Sequence, residues 1–342
     1  MTIQADETPE LSVIIPVFNE GDNLRPLAAR LIPALACVES FEIVFVDDGS
    51  RDNTMEVARE LNAADPRITA VSFSRNFGKE IAIAAGVDAA RGRGAVIMDA
   101  DLQHPPEAIA LFVEKWREGY QNIFGVRRSR DTDSAARKWL TAHFYRLFRT
   151  FGEIGLPEGA GDFRLLDRVA LDALKTLREQ ARFSKGLYAW IGFKSIGVPF
   201  DVAERHAGES KFSYRKLTRF ALDGLVSFST VPLKVWTYFG MAIAAFALAN
   251  ALYYVVETLI WGVSAPGFAT LVVSITFFAG VQLISLGVLG EYIGRVFAEV
   301  KGRPLYLVQE RVGGPRGAAV VGAPAKSVSA NTVSANTEKA KF

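Results

Sequence analysis

From residue 11 to about residue 126, short runs of β-branched and aromatic residues alternate with longer stretches of helical periodicity. Alternation of this kind predicts βαβ units on a mostly parallel sheet. Strands are expected at residues 11–18, 42–46, 68–73, 95–98 and 122–126, and helices at 23–37, 54–64, 79–91 and 107–118. Ser12-Val13-Ile14-Ile15 and Ile43-Val44-Phe45-Val46 are almost unbroken apolar runs, as suits strands buried on both faces. Farther along, 134–151 reads as an amphipathic helix rich in aromatic and basic residues, and 211–230 as an interfacial helix on an anionic membrane. Two later segments, 235–256 and 268–290, carry no formal charge. Each is long enough as a helix to cross the roughly 30 Å apolar core of a bilayer. The connection 257–267 is short, so the pair predicts a transmembrane helical hairpin.

Ligands of open α/β sheets sit at the carboxyl ends of the strands. Polar residues follow every expected strand: Asn19-Glu20, Asp47-Asp48-Gly49-Ser50, Ser74-Arg75-Asn76, Asp99 to Gln103, and Arg127-Arg128. The apolar run Val96-Ile97-Met98 ends in two carboxylates one residue apart, Asp99 and Asp101, and then the carboxamide of Gln103. With an extended backbone these three side chains share a face and offer hard oxygen ligands to Mg²⁺ or Mn²⁺. The alternative is a solvated loop after a buried strand. Asp47-Asp48-Gly49-Ser50 suits a turn with a helix cap, or places Asp48 to accept a base N–H. The first strand is not followed by Gly-x-Gly-x-x-Gly, and there is no Gly-Lys-Ser/Thr P-loop, which argues against a dinucleotide oxidoreductase and a P-loop enzyme.

Composition sharpens this picture. Of 342 residues 50% are hydrophobic, too apolar for an ordinary soluble enzyme, so part of the chain should face lipid. A net charge of +2 gives no case for nucleic acid. Lys234, Arg295, Lys301 and Arg303 flank the apolar segments while their connection holds only Glu257, which predicts both termini and the first domain in the cytoplasm, on a multi-pass protein of the inner (plasma) membrane. The first ten residues lack the basic and apolar regions of a signal peptide. Cys37 is the single cysteine, which excludes an intrachain disulfide, and His104, His143 and His206 have no zinc-ligand spacing.

Three ordered motifs then carry a resemblance: Ser12-Val13-Ile14-Ile15-Pro16-Val17-Phe18-Asn19-Glu20, Val46-Asp47-Asp48-Gly49-Ser50, and Asp99-Ala100-Asp101-Leu102-Gln103-His104-Pro105-Pro106-Glu107. Together they resemble glycosyltransferase family 2, and the third its polyisoprenyl-phosphate branch. The resemblance implies an α/β glycosyltransferase-A (Rossmann-like) fold with a C-terminal two-helix transmembrane hairpin. It implies Pro16, Phe18, Glu20 and Asp48 around the nucleoside, Lys79 and Asp99 close to the nucleotide, and Asp99, Asp101 and Gln103 near a divalent cation and the diphosphate. Gly161-Asp162-Phe163-Arg164 resembles the acceptor-side motif, which makes Asp162 a catalytic-base candidate. Arg205-His206-Ala207-Gly208-Glu209-Ser210-Lys211 resembles the branch's Arg-x-x-Gly-x-Ser-Lys signature, with Arg205 and Lys211 as donors to a phosphate. Arg127 and Arg137 join them as acceptor-phosphate candidates.

The expected activity is inverting transfer of one sugar from a UDP- or GDP-linked donor to a polyisoprenyl phosphate at the cytoplasmic membrane face, with Mg²⁺ or Mn²⁺. Homo-oligomers through the hairpin are compatible with the resemblance. A processive synthase would want Gln-x-x-Arg-Trp and more spans. A transferase with a non-lipid acceptor and a non-catalytic scaffold for glycan export are the alternatives. The expected plan is a polar extension (1–10), the catalytic domain (11–210), a juxtamembrane helix (211–230), the hairpin (231–290), a juxtamembrane segment (291–312) and a disordered tail (313–342).

Overall fold

In the computed structural model, residues 8–127, 160–180, 182–201, 231–261 and 267–314 are described. Unbroken apolar runs produce the first strands, β1 (Leu11–Val17) and β2 (Phe41–Asp47), which pair in parallel from Leu11 opposite Phe41 to Val17 opposite Asp47. Strands β3 (Ile68–Phe73) and β4 (Gly94–Ile97) extend this parallel heart on either side. Strands β5 (Asn122–Arg127), β6 (Ala160–Asp167), β7 (Ser195–Phe200) and β8 (Val308–Val312) complete an eight-stranded sheet in the order β7-β5-β6-β4-β1-β2-β3-β8. Strand β6 runs antiparallel between β4 and β5.

Helices cover both faces. Leu11, Val13, Ile15 and Val17 of β1 face the cluster under α1 (Gly21–Ala34), α2 (Thr54–Ala64) and α4 (Ile109–Arg117), whereas Ile14 faces the cluster under α3 (Lys79–Ala89), α5 (Arg168–Thr176) and α6 (Ser184–Trp190). This is the period-two consequence of burying a strand on both sides. Helix α3 sits very close to the sheet: a Cβ at Gly86 would run into Ile14. Pro16 tolerates a central strand because the ladder to β4 ends at Ile14 opposite Ile97, two residues before the missing N–H would be needed.

The two long apolar segments form helices α7 (Val231–Trp261) and α8 (Phe268–Val300), of 31 and 33 residues. They run past the uncharged stretches and reach about 46 and 50 Å at a rise of ~1.5 Å per residue. Among the described residues, Phe277–Val300 is long and apolar enough to cross a membrane. Large apolar side chains are exposed on both helices, for example Phe246 and Leu252 on α7 and Ile275 and Leu283 on α8. Beyond α8 the sequence suggests only a juxtamembrane connection, yet Leu305 and Tyr306 are buried and β8 pairs antiparallel with β3. The charges of Val308-Gln309-Glu310-Arg311-Val312 hide this strand from a hydrophobic pattern. An edge strand with solvent on one side tolerates them.

Candidate active site

The chain leaves β1 in one direction toward β2 and β3 and enters β4 on its other side, so the carboxyl ends of β1 and β4 flank the topological switch point where such sheets take ligands. The loops after β1 and β2 are knitted together. Asn19, at φ 56, donates its N–H to Ser50 Oγ at 2.8 Å and accepts from Arg51 N at 2.9 Å. Glu20 N donates to Thr54 Oγ1 at 3.0 Å, while Glu20 Oε2 accepts from Asn23 Nδ2 at 2.6 Å. Between these loops and the end of β3 opens a cleft of ≈ 680 Å³, lined by Phe18, Asn19, Asp47, Ser72, Arg75 and Gln309 among others.

Asp47 and Asp48 divide the work. Asp47 lines the cleft, with Oδ2 accepting from Ser72 Oγ at 2.6 Å and Oδ1 from Ser50 N at 3.0 Å. Asp48 is buried and turned the other way: Oδ1 accepts from Phe77 N at 2.6 Å and Oδ2 from Gly78 N at 2.9 Å. Burial raises its pKa even against those hydrogen bonds. Of the two carboxylates, the sequence motif points to Asp48 as the base acceptor, whereas Asp47 is the one at the cleft wall. Asp47 reaches the wall because β2 extends one residue past its apolar run and keeps the pleat, with Asp47 paired to Val17 and Ser72.

Asp48 also sets the start of α3. Gly78 caps that helix at φ 104, a conformation that favours glycine, and the next residue is Lys79. Its Nζ lies 2.6 Å from Asp99 Oδ1 and 2.9 Å from Asp162 Oδ2. Burial works against the charge of Lys79, but the Asp162 and Asp99 carboxylates prevail and hold its pKa above the usual lysine range. Burial likewise opposes ionisation of Asp162, and Lys79, Lys185 and Arg164 outweigh it, holding its pKa well below the carboxylate range. Arg164 lies beneath, buried, with Nη2 donating to Gly161 O at 2.6 Å and its guanidinium stacked 3.6 Å over Tyr188.

The backbone does not stay extended through Asp99 to Gln103, so the three side chains do not form the single strand-face row expected from alternation. Strand β4 ends at Ile97, and the chain turns at Leu102, where φ is 61 and the side chain is buried. Gln103 N donates to Asp101 Oδ1 at 3.2 Å, closing the turn. Burial of the Leu102 side chain offsets its left-handed backbone. His104 braces this turn: Nδ1 accepts from Asp99 N at 3.2 Å while the ring stacks on Phe163. Burial lowers the His104 pKa, consistent with a neutral ring whose Nδ1 accepts.

The donors fit a divalent cation shared with substrate. Asp99 and Asp101 are hard oxygen donors, and Asp162 Oδ1 is buried without a hydrogen-bond partner. Among the described residues no group of three His, Cys, Asp or Glu lies together as a metal site; a divalent cation held by one or two carboxylates takes its remaining ligands from water and substrate phosphates. The side chain of Arg127, and Arg137, Arg205, Lys211 and the expected helices 134–151 and 211–230, lie outside the described residues, as does the tail from 315.

Comparison with known proteins adds an independent line. The family model described as Glycosyl transferase family 2 matches residues 12–175, and GtrB C-terminal hairpin matches residues 231–296. An uncharacterized glycosyltransferase of Synechocystis sp. is 48% identical over 304 residues, covering 89% of this chain and 96% of the relative. The bactoprenol glucosyl transferase of Shigella phage SfII is 40% identical over 303 residues, covering 88% of this chain and 98% of the relative. Among solved structures, a glucosyl-3-phosphoglycerate synthase from Mycobacterium tuberculosis aligns with TM-score 0.43 and 20% identity, over 62% of this chain and 75% of that one.

Proposed function

The chain belongs to glycosyl transferase family 2, and from that premise we propose that it moves one hexose from a nucleoside-diphosphate donor to the phosphate of a polyisoprenyl lipid, with inversion, at the cytoplasmic face of the inner (plasma) membrane. The relative named for bactoprenol, a polyisoprenyl lipid, supports the acceptor class. The observation that carries the donor half is one connected path. Asp48 holds the Phe77–Gly78 turn, that turn starts α3, and α3 delivers Lys79 between Asp99 and Asp162. This path supports reading the nucleoside-side motif and the carboxylate cluster as parts of one site.

In this reading Asp99 and Asp101, with Gln103 beside them, hold a divalent cation, Mg²⁺ or Mn²⁺, which offsets charge on the departing diphosphate. Lys79 keeps Asp99 and Asp162 neutralised before the donor arrives, and its persistent charge suits it to the diphosphate oxygens. Asp162 is a weak base while Lys79, Lys185 and Arg164 hold its pKa down. A lipid phosphate is already anionic and needs no deprotonation, so Asp162 contributes negative charge near the anomeric carbon rather than accepting a proton. Arg127, Arg137, Arg205 and Lys211 supply the grip on the acceptor phosphate. Helices α7 and α8 both cross the bilayer and leave both termini in the cytoplasm, a reading supported by the flanking Lys and Arg and by the apolar side chains exposed on both helices.

The test is a panel of radiolabelled UDP- and GDP-sugars incubated with membranes holding the full chain. Label in solvent-extractable lipid, lost with Asp101→Ala and with EDTA, is the expected result. Label that appears only in soluble sugar, or persists in EDTA, overturns the lipid acceptor or the cation respectively.

A further inference from the structure

Strand β8, which follows α8, ends its pairing at the donor cleft. Its register against β3 runs Ala70 opposite Val312, Val71 opposite Arg311 and Ser72 opposite Glu310, then jumps to Phe73 opposite Val308. Gln309 is therefore the extra residue of a β-bulge. Bulges re-aim a side chain and recur beside active sites.

The residues on either side of the bulge are fixed. Glu310 takes a two-pronged bond from Arg59, with Nε at 2.9 Å from Oε1 and Nη2 at 2.8 Å from Oε2. Leu307 O accepts from Ser74 N at 3.0 Å, and Tyr306 stacks on Phe73 with ring centroids 5.0 Å apart while donating to Asp88 Oδ2 at 2.9 Å. Gln309 lies exposed between these anchors and lines the cleft with Phe18 and Asp47. Of the polar groups that share the lining, Arg59 and Glu310 bind each other, and Asp47 binds Ser50 and Ser72. No described hydrogen bond uses the Gln309 amide. That amide presents an acceptor beside two donors in one plane, and the edge of uracil or guanine presents a carbonyl beside a ring N–H. The two are complementary.

We propose that Gln309 is a specificity-determining residue that hydrogen-bonds the base of the nucleotide donor, so that a segment beyond the hairpin takes part in choosing the nucleotide. The proposal rests on the reading that this cleft takes the donor nucleoside. Its test is titration calorimetry of UDP, GDP and CDP, with Mg²⁺, on the full detergent-solubilised chain, for wild type, Gln309→Ala and Gln309→Glu. KM, kcat and Tm are measured alongside.

The expected result is that Gln309→Ala weakens the preferred nucleotide by about tenfold, the effect of one net hydrogen bond at its upper range. Discrimination against the other two should shrink, KM should rise, and kcat and Tm should stay unchanged. Gln309→Glu should alter the order of preference, since a carboxylate accepts and no longer donates. Equal weakening of all three nucleotides, or unchanged binding, overturns the role of Gln309 and leaves the cleft assignment standing. Failure of the wild-type protein to bind any of them overturns the cleft assignment and the proposal with it.

Discussion

Lys79 shows how much a single side chain carries in this site. It neutralises Asp99 and Asp162 together, and its loss leaves a buried carboxylate without its nearest cation. Lys79→Met is expected to destabilise the protein by about 1–3 kcal/mol, below the full cost of breaking a buried pair because the Lys79 side chain keeps 42% of its exposure. The sign of the pH dependence follows from the shifts. Asp162 is depressed, so its contribution is present above the ordinary carboxylate range and is lost as pH falls through its lowered folded value. Lys79 is raised, so its contribution is present below the ordinary lysine range and is lost only as pH rises through its folded value. In the variant, burial no longer meets opposition from Lys79 and Asp162 takes up a proton more readily. Urea unfolding of both proteins should show a gap at pH 7 that narrows below about pH 4. A gap that widens with acidification would contradict the ion pair's role.

At the scale of elements, Asp48 belongs to the start of α3 more than to the cleft. Asp48→Asn keeps the shape but turns one acceptor into a donor facing the Phe77 and Gly78 N–H groups. It should therefore loosen the turn that delivers Lys79. The expected outcome is a fall in kcat of about tenfold or more with nucleotide affinity changed less than threefold. An equal fall in affinity would return Asp48 to the base-contacting role that its motif suggests. Much at this scale is legible in the residues: Ile68–Phe73 and Thr54–Ala64 have the bounds their apolar spacing predicts. The turn after β4 is not legible, because alternation assumes an extended backbone and Leu102 leaves it. Nor is the choice between Asp47 and Asp48, since adjacent residues of one motif differ only in which side of the strand end they face. Strand β6 reads as an acceptor motif and gives no sign in its pattern that it runs antiparallel between β4 and β5.

Across the whole molecule, the end of α8 and the segment after it are tied to the loop after α5 on both sides of residue 300. Glu299 near the end of α8 accepts from Gln180 N at 2.7 Å, and Gln180 Nε2 donates to Arg303 O at 2.5 Å. The chain then returns to form β8. Ending the chain after Gly314 should leave stability and turnover unchanged, whereas ending it after Lys301 should lower Tm and donor binding. Paired truncations, assayed for thermal unfolding and nucleotide affinity, check both statements, and equal behaviour of the two would remove β8 from the folded unit.

The position of β8 has one more consequence, for solubility. It covers the hydrogen-bonding edge of β3, an otherwise open row of N–H and C=O groups beside buried Val71 and Phe73. Its own outer edge is guarded by the charges of Glu310 and Arg311 and by the bulge at Gln309, while the opposite edge of the sheet carries Pro199 in β7. These are the devices by which sheets avoid adding strands from neighbouring copies. A catalytic domain cut free of its hairpin would expose β3 as a template, and such a fragment should stack edge to edge into aggregates unless residues 302–314 are grafted back.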